Sequence, residues 1–235
     1  MKKLGVITII IAFAAGQSSG LTFIGPPIAT LEEGQIGIDG DYTFSEVDIE
    51  LAGYGSLGVL EEVELHSLFA RFGYGINDSW ECFARLGVAV MEGSPIDGDV
   101  EPAWGIGTKA TLLTQQNLRI GCLFQMQWFK SEDELSVAGL SGDSEIDMYE
   151  FQVVLGAMYE VYGLKVYGGP FVNCVGGELS IKTPGGTRSP AIEEESEAGG
   201  FLGVAFEIRK LFNLCVECMF TSDATGFGIG TTWLF

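Results

Sequence analysis

Two of the five cysteines, Cys215 and Cys218, have the CxxC spacing of redox and metal-binding motifs. In a helix or a tight turn, this spacing lets two thiols form a disulfide or bind one metal ion. On a β-strand, side chains three positions apart point to opposite faces. The surrounding residues alternate as in a strand, so we predict that these two thiols neither pair nor share a metal. By the same alternation of faces, four cysteines are expected to lie on the apolar side, where they act as small apolar residues. They are Cys82, Cys122, Cys174 and Cys218.

The single histidine, His66, follows Glu62 and Glu64 and is the best candidate for a general base. A histidine beside carboxylates could serve a hydrolase or a lipid-modifying enzyme. The sequence has no phosphate-binding loop, no zinc-ligand spacing and no Gly-x-Ser-x-Gly nucleophile motif. We therefore expect a protein without enzyme activity, cofactor or metal, and we keep an enzyme that uses His66 as an alternative hypothesis.

Acidic residues dominate the charge, with 32 Asp and Glu against 12 Lys and Arg and a net charge of −20. Binding to nucleic acid needs clustered cations, so nucleic acid is excluded as a partner. Many of the acids form clusters without the spacing of a calcium-binding loop, which favours a solvated negative surface over a cation site. The clusters are Glu61, Glu62 and Glu64; Asp97, Asp99 and Glu101; Glu132, Asp133 and Glu134; and Glu193, Glu194, Glu195 and Glu197.

The elements that carry these residues are predicted to be β-strands, because the sequence alternates with a period of two. In the last segment, Phe227, Ile229 and Trp233 share one face, and Gly228 and Gly230 share the other. Short connections alternate with longer ones that are rich in acids, glycine and proline, as in an up-and-down transmembrane barrel. The ten predicted segments cover roughly residues 35–50, 64–76, 79–91, 102–113, 117–131, 146–161, 164–179, 198–210, 213–221 and 225–235.

One face of these segments is apolar along its length, whereas a soluble β-sandwich has a polar outer face. Aromatic residues cluster at both ends of the apolar face, as expected for girdles at the two bilayer interfaces. Backbone groups in lipid must all be paired, so a membrane-spanning sheet has to close on itself. The predicted fold is therefore all-β: a closed antiparallel up-and-down transmembrane β-barrel of ten strands, with eight or twelve strands as alternatives.

The N-terminus is predicted to be a signal peptide at residues 1–20, because Lys2 and Lys3 precede an apolar run and then several small residues. We interpret residues 21–34 as an irregular lead-in that lies in the periplasm, and residues 35–235 as the barrel. An even number of strands places both ends of the barrel on the periplasmic side.

The C-terminal strand ends in Phe235, with Trp233, Ile229 and Phe227 at alternating positions before it. This pattern resembles the C-terminal signature of bacterial outer-membrane proteins. With the signal peptide and the hairpin layout, the whole mature chain resembles the small outer-membrane barrels of the OmpA-like and opacity-type class. The resemblance implies a location in the bacterial outer membrane, contact with the lipid bilayer and lipopolysaccharide, and recognition of the C-terminal strand by the barrel-assembly machinery.

Charged residues of both signs are predicted to point into the lumen. A buried charge is costly unless it is paired, so the mixed signs favour a narrow lumen in which the charges neutralise one another. A polar pore whose charges set its selectivity is the alternative. The many inward glycines fit either interpretation. In a pore they would leave a channel open, and in a filled lumen they would make room for long side chains. The predicted lumen charge network comprises Arg71, Glu81, Arg85, Lys109, Arg119, Glu150, Glu160, Lys165, Glu207, Arg209 and Glu217.

Tyr162 and Gly163 are predicted to form a two-residue hairpin loop. This register places Glu160 directly opposite Lys165, and we expect the two side chains to form an inward ion pair.

The function that these features indicate is a non-enzymatic integral outer-membrane protein, structural or surface-exposed, with a narrow salt-bridged lumen. A narrow passive pore for small solutes is the first alternative, and an enzyme that uses His66 at the rim is the second.

Overall fold

The computed structural model of the protein describes residues 21–50, 59–93, 96–137, 140–183, 186–188, 191–209, 212–222 and 224–235. The predicted signal peptide lies outside these residues. Within them, no helix is long and apolar enough to span a bilayer. The strands are β1 (Ile36–Glu50), β2 (Val59–Asn77), β3 (Trp80–Gly93), β4 (Ile96–Asp97), β5 (Glu101–Gln115), β6 (Leu118–Val137), β7 (Leu140–Val161), β8 (Leu164–Thr183), β9 (Gly186–Arg188), β10 (Ala191–Arg209), β11 (Phe212–Phe220) and β12 (Thr225–Leu234).

The first and last strands pair with each other, and this pairing closes the sheet. Asp41 on β1 lies opposite Phe69 on β2 and opposite Gly230 on β12. Around the rest of the circle each long strand pairs with the strands before and after it, always antiparallel. The short strands β4 and β9 only extend the ends of β3 and β8. The structure is therefore a closed up-and-down barrel of ten strands, which confirms the predicted fold class and strand number.

Several strands extend well beyond their predicted ends on the side of the long connections. We predicted segments 132–145 and 180–197 as loops, but β6 and β7 pair as far as Val137 and Leu140. Likewise, β8 continues to Thr183, and β10 begins at Ala191. Outside the membrane both faces of a strand are solvated, so backbone pairing continues after the alternation in polarity has stopped. Loss of alternation therefore does not mark the end of a strand in this protein.

The barrel has an apolar outer wall and a mixed polar and apolar interior. Side chains that are more than one-third exposed include large apolar residues from most of the barrel strands, and they alternate with buried neighbours. At the long-loop end, Trp104 and Trp128 stack with their ring centroids 4.1 Å apart. At the opposite end, where the short turns lie, Trp80, Tyr159 and Trp233 point outward. The described side chains therefore show the two aromatic girdles that the sequence predicts.

The hairpin between β7 and β8 has the predicted register. Val161 lies opposite Leu164, and Glu160 lies opposite Lys165. Tyr162 and Gly163 have φ angles of 50° and 81°. Positive φ at both central residues is what a type I′ turn requires, and this turn follows the right-handed twist of the two strands.

Residues 21–34 do not lie outside the barrel, as we predicted, but run through its lumen. Leu21, Ile24 and Ile28 are at most 1% exposed. The segment reaches the short-turn rim at Gly34, whose amide donates a 2.9 Å hydrogen bond to the carbonyl of Gly75. The prediction failed because the sequence of an irregular segment does not show which surface of the protein the segment will pack against. We call residues 21–31, the part inside the barrel, the lumen segment.

Candidate functional site

Glu217 on β11 holds the middle of the lumen segment. Its carboxylate accepts hydrogen bonds from the amides of Ile24, at 2.6 Å, and Gly25, at 2.9 Å. The hydroxyl of Tyr167 donates a third bond, at 3.0 Å, to the same carboxylate. Two successive backbone amides on one carboxylate fix both the position and the direction of the segment, because charge-assisted hydrogen bonds are strong and directional.

Glu81 on β3 binds the segment closer to the short-turn end. Its Oε2 atom accepts bonds from the amide of Thr30 at 2.7 Å, from the amide of Leu31 at 3.0 Å and from the Thr30 hydroxyl at 3.2 Å. Hydroxyl groups of the wall accept three further amides of the segment at 3.1–3.2 Å. These acceptors are Ser45, Thr43 and Thr111. The segment has no partner strand, and the wall side chains supply the acceptors that a strand would otherwise provide.

Glu150 on β7 sits in a third polar cluster. The hydroxyl of Thr22 and the amide groups of Gln127 and Gln152 all donate to its carboxylate. We expected the inward carboxylates to be neutralised by inward cations. In the structure, all three buried glutamates of the predicted network bind hydrogen-bond donors of the lumen segment or neutral amides, and these are Glu81, Glu150 and Glu217.

Inward glycines shape the wall to the side chains of the lumen segment. A Cβ atom built on Gly228 or Gly230 would lie 2.5–2.6 Å from the ring of Phe23. A Cβ atom on Gly156 would lie 2.6 Å from the ring of Pro27. Any side chain at these positions would displace the segment, because real atoms do not approach so closely. These three inward glycines therefore make room for the lumen segment and do not leave an open channel.

Two arginines form ion pairs with aspartates of β1 inside the lumen. Arg85 binds Asp41 at 2.5 Å, and its guanidinium lies 4.3 Å from the centre of the Phe69 ring. Arg71 pairs with Asp39. The arginines lie directly opposite each other on β2 and β3. Each therefore needs its own aspartate to offset the repulsion between them.

The predicted lumen residues divide into a buried group and a rim group. Arg71, Glu81, Arg85, Lys109, Glu150 and Glu217 are buried. Arg119, Glu160, Lys165 and Glu207 lie at the short-turn rim, where they are half-buried or exposed. The side chain of Arg209 lies outside the described residues. The predicted ion pair between Glu160 and Lys165 does not form. The register is right, but at a solvated rim the attraction does not exceed the entropy cost of fixing two long side chains.

The cysteines divide between the two faces as their parity predicts. Cys215 is buried in the lumen, and Cys218 is exposed on the outer face. Cys82, Cys122 and Cys174 also lie on the outer face, where they are half-buried or exposed.

We expect Cys215 and Cys218 to remain unlinked to each other even under mild oxidation, because the barrel wall separates their sulfur atoms. Mass spectrometry of the non-reduced, proteolysed protein measures this directly. A Cys215–Cys218 crosslink in folded protein would contradict the strand geometry of β11. Protein unfolded in denaturant before oxidation is the control, since there the two thiols are free to meet.

His66 lies on the outer face of β2 near the long-loop end. Its Nδ1 atom is 2.8 Å from the hydroxyl of Tyr42, and its Nε2 atom is 3.4 Å from the carboxylate of Glu64. One ligand atom from each of Glu64, His66 and Glu92 fits within a 4.8 Å cluster, so these residues could bind a metal ion. Sequence spacing suggested Glu64 but not Glu92, which only the pairing of β2 with β3 brings close. The side chain of Glu62, the other predicted neighbour, lies outside the described residues.

The residues of the C-terminal signature lie on the outer face of β12 and just beyond it. Phe227, Ile229, Trp233 and Phe235 are all exposed on the lipid-facing side. A factor that binds the strand edge before closure would meet these side chains in one row. Recognition by the assembly machinery stays a prediction.

No family model matches the sequence, and no curated protein matches it. Solved structures with a similar fold include three bacterial proteins. The translocator domain of the autotransporter NalP from Neisseria meningitidis is 10% identical, with 86% of this chain and 88% of that chain covered and a TM-score of 0.49. The outer membrane protease OmpT from Escherichia coli is 10% identical, with 86% and 97% covered and a TM-score of 0.48. An outer membrane channel from Pseudomonas putida F1 is 11% identical, with 92% and 100% covered and a TM-score of 0.48.

Proposed function

We propose that this protein is an integral protein of the bacterial outer membrane whose lumen is closed by its own N-terminal segment. We further propose that it acts as a structural or surface-exposed component and not as an enzyme or an open pore. The apolar outer wall and its two aromatic girdles support the membrane location, because such a surface is stable only in contact with lipid.

The lumen segment is the observation that carries this proposal. A barrel of about eight strands has an interior that side chains alone can fill, and ten strands enclose only slightly more space. Here the additional space is occupied by residues 21–31, whose apolar side chains other than Pro26 are almost completely buried. A solute would have to displace Phe23, Ile24 or Ile28 to pass.

A gated narrow pore is the second candidate, and the way in which the segment is held favours it over a permanently open pore. The segment contributes no strand to the wall, which is closed by the pairing of β1 with β12. Its contacts are side-chain hydrogen bonds and apolar packing against glycines. The segment could therefore leave without breaking the barrel.

We expect the folded, mature protein to show no stepwise conductance in planar lipid bilayers, because the lumen segment blocks the path of ions. Insertion of folded protein is verified by its heat-modifiable migration on gels, which is typical of intact barrels. Regular conductance steps from protein that passes this control would contradict the closed state. Such steps would instead favour a narrow pore as the function of this protein.

A further inference from the structure

A small cavity lies at the short-turn end of the lumen, between the lumen segment and the wall. It has a volume of about 100 Å³, and Pro26 and Thr30 of the segment form one side. Four cations line it, and no carboxylate does. They are Arg71, Lys109, Arg119 and Lys165. Arg71 is already paired with Asp39, so the unpaired positive charge comes from Lys109, Arg119 and Lys165. The whole sequence has 12 Lys and Arg against 32 Asp and Glu, so this charge is opposite in sign to that of the protein as a whole.

Lys109 forms the inner end of this cavity. Its side chain is fully buried, and its ammonium group has no hydrogen-bond partner. The Nζ atom lies 3.6 Å from the position that a Cβ atom on Gly25 would take, so it is held against the lumen segment. A buried ammonium group without an acceptor is strongly unfavourable. The site therefore has unused donors where an acceptor is expected.

The natural partner of Lys109 is engaged elsewhere. Strand pairing places Glu81 directly opposite Lys109. The carboxylate of Glu81, however, accepts the amides of Thr30 and Leu31. The two side chains form no ion pair, and the lumen segment is the reason. The same contacts that hold the segment in place leave the ammonium group of Lys109 free for another anion.

The entrance of the cavity carries the two rim cations. Arg119 and Lys165 are half-buried and reach solvent at the short-turn rim. Glu160 lies opposite Lys165 but does not pair with it. Asn213 and Thr232 add neutral polar groups to the lining. A cleft lined by one sign of charge and walled by protein concentrates ions of the opposite sign.

We propose that this cavity binds a phosphate-sized oxyanion, with Lys109 at its inner end and Arg119 and Lys165 at its entrance. The volume is about three times the share of one water molecule in the liquid, which suits a phosphate group and excludes a nucleotide. Several cations around one small space match a multiply charged anion better than chloride or acetate. This site goes beyond the proposed function, since it does not depend on whether the lumen opens.

The test is the thermal unfolding of the folded, full-length mature protein with sodium phosphate, against sodium chloride at equal ionic strength. A ligand that binds only the folded state, at a hundredfold excess over its Kd, raises the midpoint by about 5–10 °C for a protein of this size. We expect a saturable rise with phosphate and none with chloride. Glycerol 3-phosphate identifies the source of the anion. Stabilisation by both compounds supports recognition of the phosphate group on a small solute, and stabilisation by phosphate alone supports the free ion.

Two variants and one control make the test specific. Lys109→Met keeps the length of the side chain, and it should abolish the phosphate-dependent rise while leaving the midpoint in chloride equal or higher. Arg119→Gln with Lys165→Gln changes only rim residues, and it should weaken phosphate binding at least tenfold without affecting folding. Lys130→Gln removes a cation at the long-loop end and should leave the phosphate response unchanged. The proposal is overturned if wild-type protein shows no saturable rise, or if both cavity variants retain the full response.

Discussion

Replacing Arg85 with methionine is expected to destabilise the folded barrel by about 3–5 kcal/mol, because it leaves the buried carboxylate of Asp41 without a positive partner. Arg85 is 2% exposed and pairs with Asp41, which is 4% exposed. Its guanidinium also donates to Gln127 at 3.2 Å and lies over the ring of Phe69. Reversible urea unfolding of the protein in lipid vesicles measures the change in the free energy of unfolding.

A double variant separates the contribution of the ion pair to stability from the contribution of side-chain packing. Asp41→Asn with Arg85→Met removes both charges, so it should cost clearly less than the sum of the two single variants. The matched control is Lys130→Met. Lys130 also makes ion pairs with acidic residues, Glu145 and Asp147, but at an exposed site. We expect little change there, since exposed pairs are screened by water. Equal losses for Arg85→Met and Lys130→Met would show that the lumen is wet at Arg85.

Removing the lumen segment is expected to convert a barrel that does not conduct ions into one that does. A mature chain that begins at residue 32 retains every wall strand and the closing pair of β1 with β12. It lacks the side chains that rest on the inward glycines, such as Phe23 on Gly228 and Gly230. Single-channel recording in planar bilayers should change from no steps to regular steps, at a cost in thermal stability from the lost apolar burial.

A variant that keeps the segment but loosens it provides the graded control. Glu81→Ala with Glu217→Ala removes the two carboxylates that bind its backbone amides. We expect brief, flickering openings from this variant, because the segment remains tethered at the rim through Gly34. If the truncated chain folds, as shown by heat-modifiable migration, and stays silent, then the wall side chains fill the lumen by themselves.

The strands and their faces could be predicted from the sequence because the pattern that encodes them is local. Lipid on one side and the lumen on the other impose a period of two on adjacent residues. This period identified all ten barrel strands and the faces of Cys215 and Cys218. The turn at Tyr162-Gly163 identified the register between β7 and β8, since a two-residue loop leaves only one antiparallel pairing.

The contents of the lumen were decided by the tertiary structure alone. The sequence placed Glu81, Glu150 and Glu217 inside but could not identify their partners, because Ile24 and Gly25 are more than 190 positions away from Glu217. An irregular segment such as 21–31 has no period to interpret, and its place depends on acceptors that only the closed barrel assembles. The unpaired ammonium group of Lys109 has the same origin. Pairing of β3 with β5 brings Glu81 opposite Lys109, and the lumen segment then engages that carboxylate.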